Sequence, residues 1–92
     1  MKILAEYTVK KEELEYVLSA IRLFLNEIKI NEPDTYYEAY QKEGKLEFVH
    51  LMEFKDEEAQ KKHSEAIYTN EFVKILYPRC TKKPVFTNLV EI

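Results

Sequence analysis

The chain has a single glycine, a single cysteine, three prolines and no tryptophan in 92 residues. With Gly44 alone, no glycine-rich loop can cradle a phosphate, because such loops need several residues free to take positive φ and let the backbone approach closely. With Cys80 alone, neither an internal disulfide nor a thiolate metal framework can be assembled, and a reducing, cytoplasmic setting is expected. Long apolar runs are also missing. Met1-Lys2-Ile3-Leu4-Ala5-Glu6 turns acidic too soon for a signal peptide or a membrane span. Positive charge is not in excess either: 14 Lys and Arg against 17 Asp and Glu leave a formal net charge of −3. That is the wrong sign for a phosphate-binding surface, so nucleic acid is not expected as a partner. Lys61-Lys62 and the stretch Arg79 to Lys83 gather basic residues, but Glu57, Glu58, Glu65 and Glu71 stand beside them, and the cluster reads as a solvated face.

What is present suffices for one globular domain over residues 1–92, with 46% hydrophobic and 34% charged residues. A domain this small buries a modest share of its surface, so self-association would stabilise it materially.

From Lys2 to Val9, Ile3, Ala5, Tyr7 and Val9 alternate with Lys2, Leu4, Glu6 and Thr8, the period of a strand covered on one side. Lys11 to Lys29 changes period: Leu14, Val17, Ile21, Phe24 or Leu25, and Ile28 form the stripe of an amphipathic helix. Thr8 or Lys10 is expected to begin it, and Asn31-Glu32-Pro33-Asp34 to end it, since Pro33 cannot continue a helix. Thr35 to Gln41 reads as a second strand. Gly44, in Lys42-Glu43-Gly44-Lys45, then stands where a hairpin needs positive φ. The third strand, Leu46 to Phe54, puts Leu46, Phe48, His50, Met52 and Phe54 on one face, with Val49 and Leu51 on the other. A second helix begins after Asp56 as N-cap and carries Ala59, His63 and Ala66 or Ile67 on one stripe. Tyr68-Thr69-Asn70 should interrupt it before Glu71 to Tyr77 resumes and Pro78 stops it. The last strand is expected over Val85 to Ile92.

The order βαββαβ implies an α+β, ferredoxin-like fold: a four-stranded antiparallel sheet with both crossover helices on one face. Apolar residues on both sides of the strands call for a cover on the second face. A homodimer packing sheet to sheet would supply it, leaving room between sheet and helices for a small molecule. Alternation alone leaves open which face meets the partner, and whether Tyr36 or Tyr37 shares a face with His50.

The run Phe48-Val49-His50-Leu51-Met52-Glu53-Phe54-Lys55-Asp56-Glu57-Glu58-Ala59, continuing to His63 and Phe72, resembles the core of the antibiotic biosynthesis monooxygenase superfamily. Shared features are the strand-end aromatic, the acidic helix start, the histidine nine residues after the aromatic and a further aromatic nine beyond. Glu32-Pro33 and Pro84 also fall in the corresponding places. The resemblance implies a dimeric α+β barrel. Among the family's activities it implies oxidation of quinols or polycyclic phenols without cofactor, haem degradation, or isomerisation of small metabolites. Met52 stands where many members have glutamate, and Phe54 where tryptophan is frequent. The haem-degrading pattern, with its strand-one asparagine and its tryptophan, is absent.

His63 is the candidate catalytic residue. Near neutrality an imidazole can take a phenolic proton, and a phenolate reacts with dioxygen far more readily than a phenol. No cofactor is called for. The competing reading is a helix histidine bonded to a neighbouring carboxylate or backbone group. His50, Met52, Phe54, Tyr68 and Phe72 are the candidate substrate-binding residues, for a small aromatic or quinone-like molecule. Two histidines without a convincing carboxylate partner make an incomplete metal site, so no metal is expected. Arg79 and Lys82 near Cys80 could lower its thiol pKa, but no histidine is adjacent, and Cys80 reads as a free surface or semi-buried cysteine rather than a nucleophile. A cofactor-independent monooxygenase is therefore the leading expectation; the alternatives are a non-catalytic dimeric binding or stress-response module, and an isomerase using the same His63.

Overall fold

In the computed structural model, which describes residues 1–92, the first strand has the bounds its alternation predicts. In β1 (Lys2–Val9), Ile3, Ala5, Tyr7 and Val9 are all buried. A short 3-10 turn, Lys11–Glu13, leads into α1 (Leu14–Asn31), whose buried stripe is Val17, Ala20, Ile21, Phe24 and Ile28. Neither expected starter caps this helix: Thr8 is taken up in β1, paired with Glu47 and Lys82, and Lys10 makes no side-chain cap bond. The helix ends at Glu32, just ahead of Pro33.

β2 (Tyr36–Gln41) and β3 (Glu47–Glu53) form the expected hairpin, with Gly44 at φ 70°. Tyr37 pairs with Met52 and Ala39 with His50, so Tyr37, not Tyr36, lies on the His50 face. The Asp56 carboxylate accepts the backbone N–H of Ala59 at 2.8 Å and caps α2 (Glu57–Glu65).

The helix break falls earlier than expected. Ala66, at φ −64° and ψ 145°, ends α2, and α3 (Ile67–Leu76) runs straight through Tyr68-Thr69-Asn70. Asn70 helps to make this tolerable: its side-chain amide donates to the Glu65 carbonyl at 3.4 Å, an acceptor that the break leaves without a helical N–H, and to the Ala66 carbonyl at 3.1 Å, which also takes the Asn70 backbone N–H.

β4 (Cys80–Leu89) also departs from expectation, starting five residues before Val85 and stopping at Leu89. It is an edge strand of the sheet ordered β2-β3-β1-β4, and its pairing with β1 shifts register between Glu6 and Thr8. An edge strand and a bulge are both places where a sheet accepts a proline, and Pro84 lies on the edge strand within the register shift.

α1, α2 and α3 cover one sheet face. Phe48, His50 and Met52 point into that layer with the buried residues of β1. The other face carries Leu4, Val49 and Leu51, half-buried, with Tyr36, Tyr40, Val85 and Leu89 exposed. No helix is long and apolar enough to cross a membrane.

Candidate active site

Between the sheet and the α2–α3 pair lies a cavity of about 380 Å³. Ile3, Ala5 and Met52 form its floor, Phe24, Phe54 and Phe72 wall it, and His50 and His63 both border it. The break at Ala66 matters here. It lets α2 present His63 and α3 present Phe72 at independent angles over one floor.

His63 is buried, its ring 5.2 Å from that of Phe54 and 5.6 Å from that of Tyr37, centroid to centroid. Its Nδ1–H donates to Glu32 Oε2 at 2.9 Å. The Tyr68 hydroxyl donates to the same oxygen, while Oε1 of Glu32 is buried with no protein partner. Glu32 is 5% exposed, so the pair is shielded from water. A carboxylate on Nδ1 fixes the imidazole tautomer and leaves Nε2 as the lone-pair nitrogen, which has no protein hydrogen-bond partner. The geometry therefore has both features weighed from sequence: a histidine bonded to a carboxylate, and a ring on a cavity.

His50 is 2% exposed and both of its nitrogens are engaged. The Tyr7 hydroxyl lies 2.6 Å from Nε2 and the Tyr37 hydroxyl 2.7 Å from Nδ1. Burial pushes the His50 pKa down to about 4, so the ring is neutral at neutral pH. Burial also raises both phenols above their ordinary range, helped at Tyr7 by Tyr37 and at Tyr37 by Glu32.

A pH dependence follows. As pH falls below His50's ordinary 6.5, the unfolded chain takes up the proton before the native ring does, so stability is full above that value and is lost toward pH 4. Between pH 7 and pH 5 this one group is expected to cost about 2 kcal/mol. Urea unfolding at both pH values should show the loss shrinking by about that amount in His50→Gln. An unchanged loss in the variant would assign the acid sensitivity to other groups.

Of the remaining sequence candidates, Met52, Phe54 and Phe72 line the cavity and Tyr68 does not. Tyr68 stands behind the imidazole on Glu32, and burial and that carboxylate raise its pKa. The sequence marks Glu32 as a helix end and as part of the Glu32-Pro33 pair ahead of the second strand, and Tyr7 as a strand residue, and it marks neither as part of the site. Cys80 is not activated: burial raises its thiol pKa, outweighing Lys83, and the thiol donates to the Leu76 carbonyl at 3.3 Å.

Solved structures share this architecture over nearly the whole chain. An antibiotic biosynthesis monooxygenase matches 99% of this chain with 97% of its own, at a TM-score of 0.89 and 18% identity. A candidate antibiotic biosynthesis monooxygenase from Bacteroides thetaiotaomicron covers 100% of this chain with 89% of its own, at a TM-score of 0.91 and 15% identity. A conserved protein from Methanosarcina mazei covers 94% with 86% of its own, at 0.84 and 22%. No protein-family model matches the chain, and no curated protein does. The likeness establishes the ferredoxin-like α+β fold that these structures have.

Proposed function

We propose that the chain is a cofactor-independent monooxygenase acting on a small phenol or quinol held in the cavity, with His63 as the base and Glu32 orienting it. The carrying observation is the buried imidazole that borders an apolar cavity while its far nitrogen is held by a buried carboxylate. Several matched structures are described as monooxygenases or candidate monooxygenases of this fold, which is consistent with the reading.

In the proposed reaction, Nε2 takes the phenolic proton and the phenolate gives one electron to dioxygen. The ring radical and superoxide then combine in a C–O bond. The protonated His63 delivers its proton to the peroxide. Loss of the ring C–H proton with cleavage of the O–O bond releases hydroxide, which leaves as water. Quinol and dioxygen thus give hydroxyquinone and water, and the quinol supplies all four electrons. The apolar walls keep bulk water from the radical pair.

Two chains are proposed to pair through the helix-free sheet face, where Leu4, Val49, Leu51, Val85 and Leu89 would otherwise meet water. Sedimentation at the mass of one 11.1 kDa chain would contradict this pairing.

Oxygen uptake with a panel of hydroquinones, run aerobically and anaerobically after dialysis against EDTA, tests the activity. One oxygen consumed per hydroxyquinone formed is expected. Turnover that persists without oxygen would point to an isomerase instead, and quinol binding without turnover would leave a binding module.

A further inference from the structure

Tyr7, His50 and Tyr37, when neutral, carry three exchangeable hydrogens among them: two phenolic and one on the imidazole. Two hydrogen bonds join the three side chains, at 2.6 and 2.7 Å. Each bond uses one hydrogen, so one is left over whichever ring tautomer is present. If Tyr7 donates to Nε2, then Nδ1–H donates to Tyr37, and the Tyr37 O–H is spare. In the opposite tautomer the Tyr7 O–H is spare.

Neither phenol has a second protein partner within hydrogen-bond distance. All three residues border the cavity, where twelve of the twenty lining residues are hydrophobic. Thr69, also on its wall, has a buried hydroxyl oxygen without a protein partner. A buried donor left unpaired carries a desolvation penalty, which a suitably placed acceptor removes. Neutrality of the chain is secured by burial, which disfavours His50 protonation and the ionisation of both phenols.

We propose that the Tyr7–His50–Tyr37 chain is a donor site for an acceptor oxygen of the bound molecule, a carbonyl or quinone oxygen on a small aromatic frame. Because a switch of the imidazole tautomer moves the spare O–H from one phenol to the other, the same chain can serve an oxygen on either side of His50. The cavity then selects molecules with a phenolic O–H for His63 and a carbonyl for this chain. This inference rests on the cavity being the ligand site, and it is independent of any reaction with oxygen.

Two redox-stable probes separate these ideas: p-hydroxyacetophenone and p-ethylphenol share the phenol and the frame, and only the first has a carbonyl. Titration calorimetry on the wild-type protein should show the ketone bound about tenfold more tightly, the effect of one added hydrogen bond at a shielded site. The C=O stretch of the bound ketone should fall relative to the ketone in an apolar solvent. In a Tyr7→Phe and Tyr37→Phe double variant, only a ring N–H behind two phenyl rings remains. The preference for the ketone should vanish there while p-ethylphenol still binds, with thermal unfolding verifying the fold. Equal affinity of the wild type for both probes, or an undiminished preference in a folded double variant, overturns the donor site and leaves the monooxygenase reading standing. If the double variant does not fold, the wild-type comparison and the carbonyl band decide alone. Failure of both probes to bind removes the cavity as an aromatic site, and with it both proposals.

Discussion

Oxygen uptake by a His63→Gln protein is expected to fall about a hundred- to ten-thousand-fold, the range associated with loss of a positioned general base. Glutamine is the informative replacement. Its amide can still donate to Glu32, so the buried carboxylate keeps a partner, yet it has no nitrogen basic enough to take a phenolic proton. Alanine would confound the result, because Glu32 is 5% exposed and would lose one of its two hydrogen bonds as well as the imidazole. Breaking a buried pair from one side typically destabilises by about 3–5 kcal/mol. Glu32→Gln should lower kcat more than it raises KM, since Glu32 touches the proposed base and does not line the cavity. Near wild-type uptake by a folded His63→Gln protein would eliminate the imidazole as the base.

Phe24→Ala is expected to cost about 3–5 kcal/mol of stability, as large aromatic truncations in cores do. Phe24 is 4% exposed and lies flat against Phe72, with ring centroids 4.3 Å apart and planes 9° from parallel. Its ring also meets Tyr37 at 5.5 Å and His63 at 5.7 Å. The ring thus ties α1 to α3 and holds the cavity wall in place. Urea unfolding at pH 7 measures the loss, and Phe24→Leu, which keeps part of the volume, should lose less. A cost below about 1 kcal/mol would mean that the neighbouring rings collapse into the space, and the cavity would then be too compliant to position a ligand.

Much of the architecture is legible in the chain because period and punctuation agree. The alternation of Lys2 to Val9, the stripe from Val17 to Ile28, Gly44 at positive φ and the Asp56 cap are each local signals, and each has its expected structural counterpart. The failures are those of tertiary context. Nothing at Ala66 marks a helix break: it has no glycine, proline or side-chain cap, and the Glu65 carbonyl that the break frees is met by the side chain of Asn70, five residues on. Pro84 suggested a strand start, but an edge position with a register shift let the strand begin earlier, at Cys80.

At the site, the side chains that touch the cavity were partly legible and the residues behind them were not. His63, Phe54 and Phe72 follow from helix and strand stripes, whereas Glu32 and Tyr7 are hydrogen-bonded to partners 31 and 43 residues away. A signal for Glu32 did exist: an imidazole on an apolar stripe needs a polar partner, and a glutamate locked before proline is a rigid one. The hairpin register that brings Tyr37 to His50 had no such signal, because Tyr36 offers the same chemistry one residue away.

The carboxylate behind His63 hangs from the last turn of an 18-residue helix, at the residue that closes it. Each residue of an α-helix advances the chain by about 100°. One amino acid gained or lost within α1 would therefore swing Glu32 to another side of the helix, or force Pro33 and the start of β2 to absorb the slip. Length variation should be tolerated at the exposed Lys42–Lys45 turn and refused between Leu14 and Glu32, so the spacing of this helix is itself a heritable part of the chemistry.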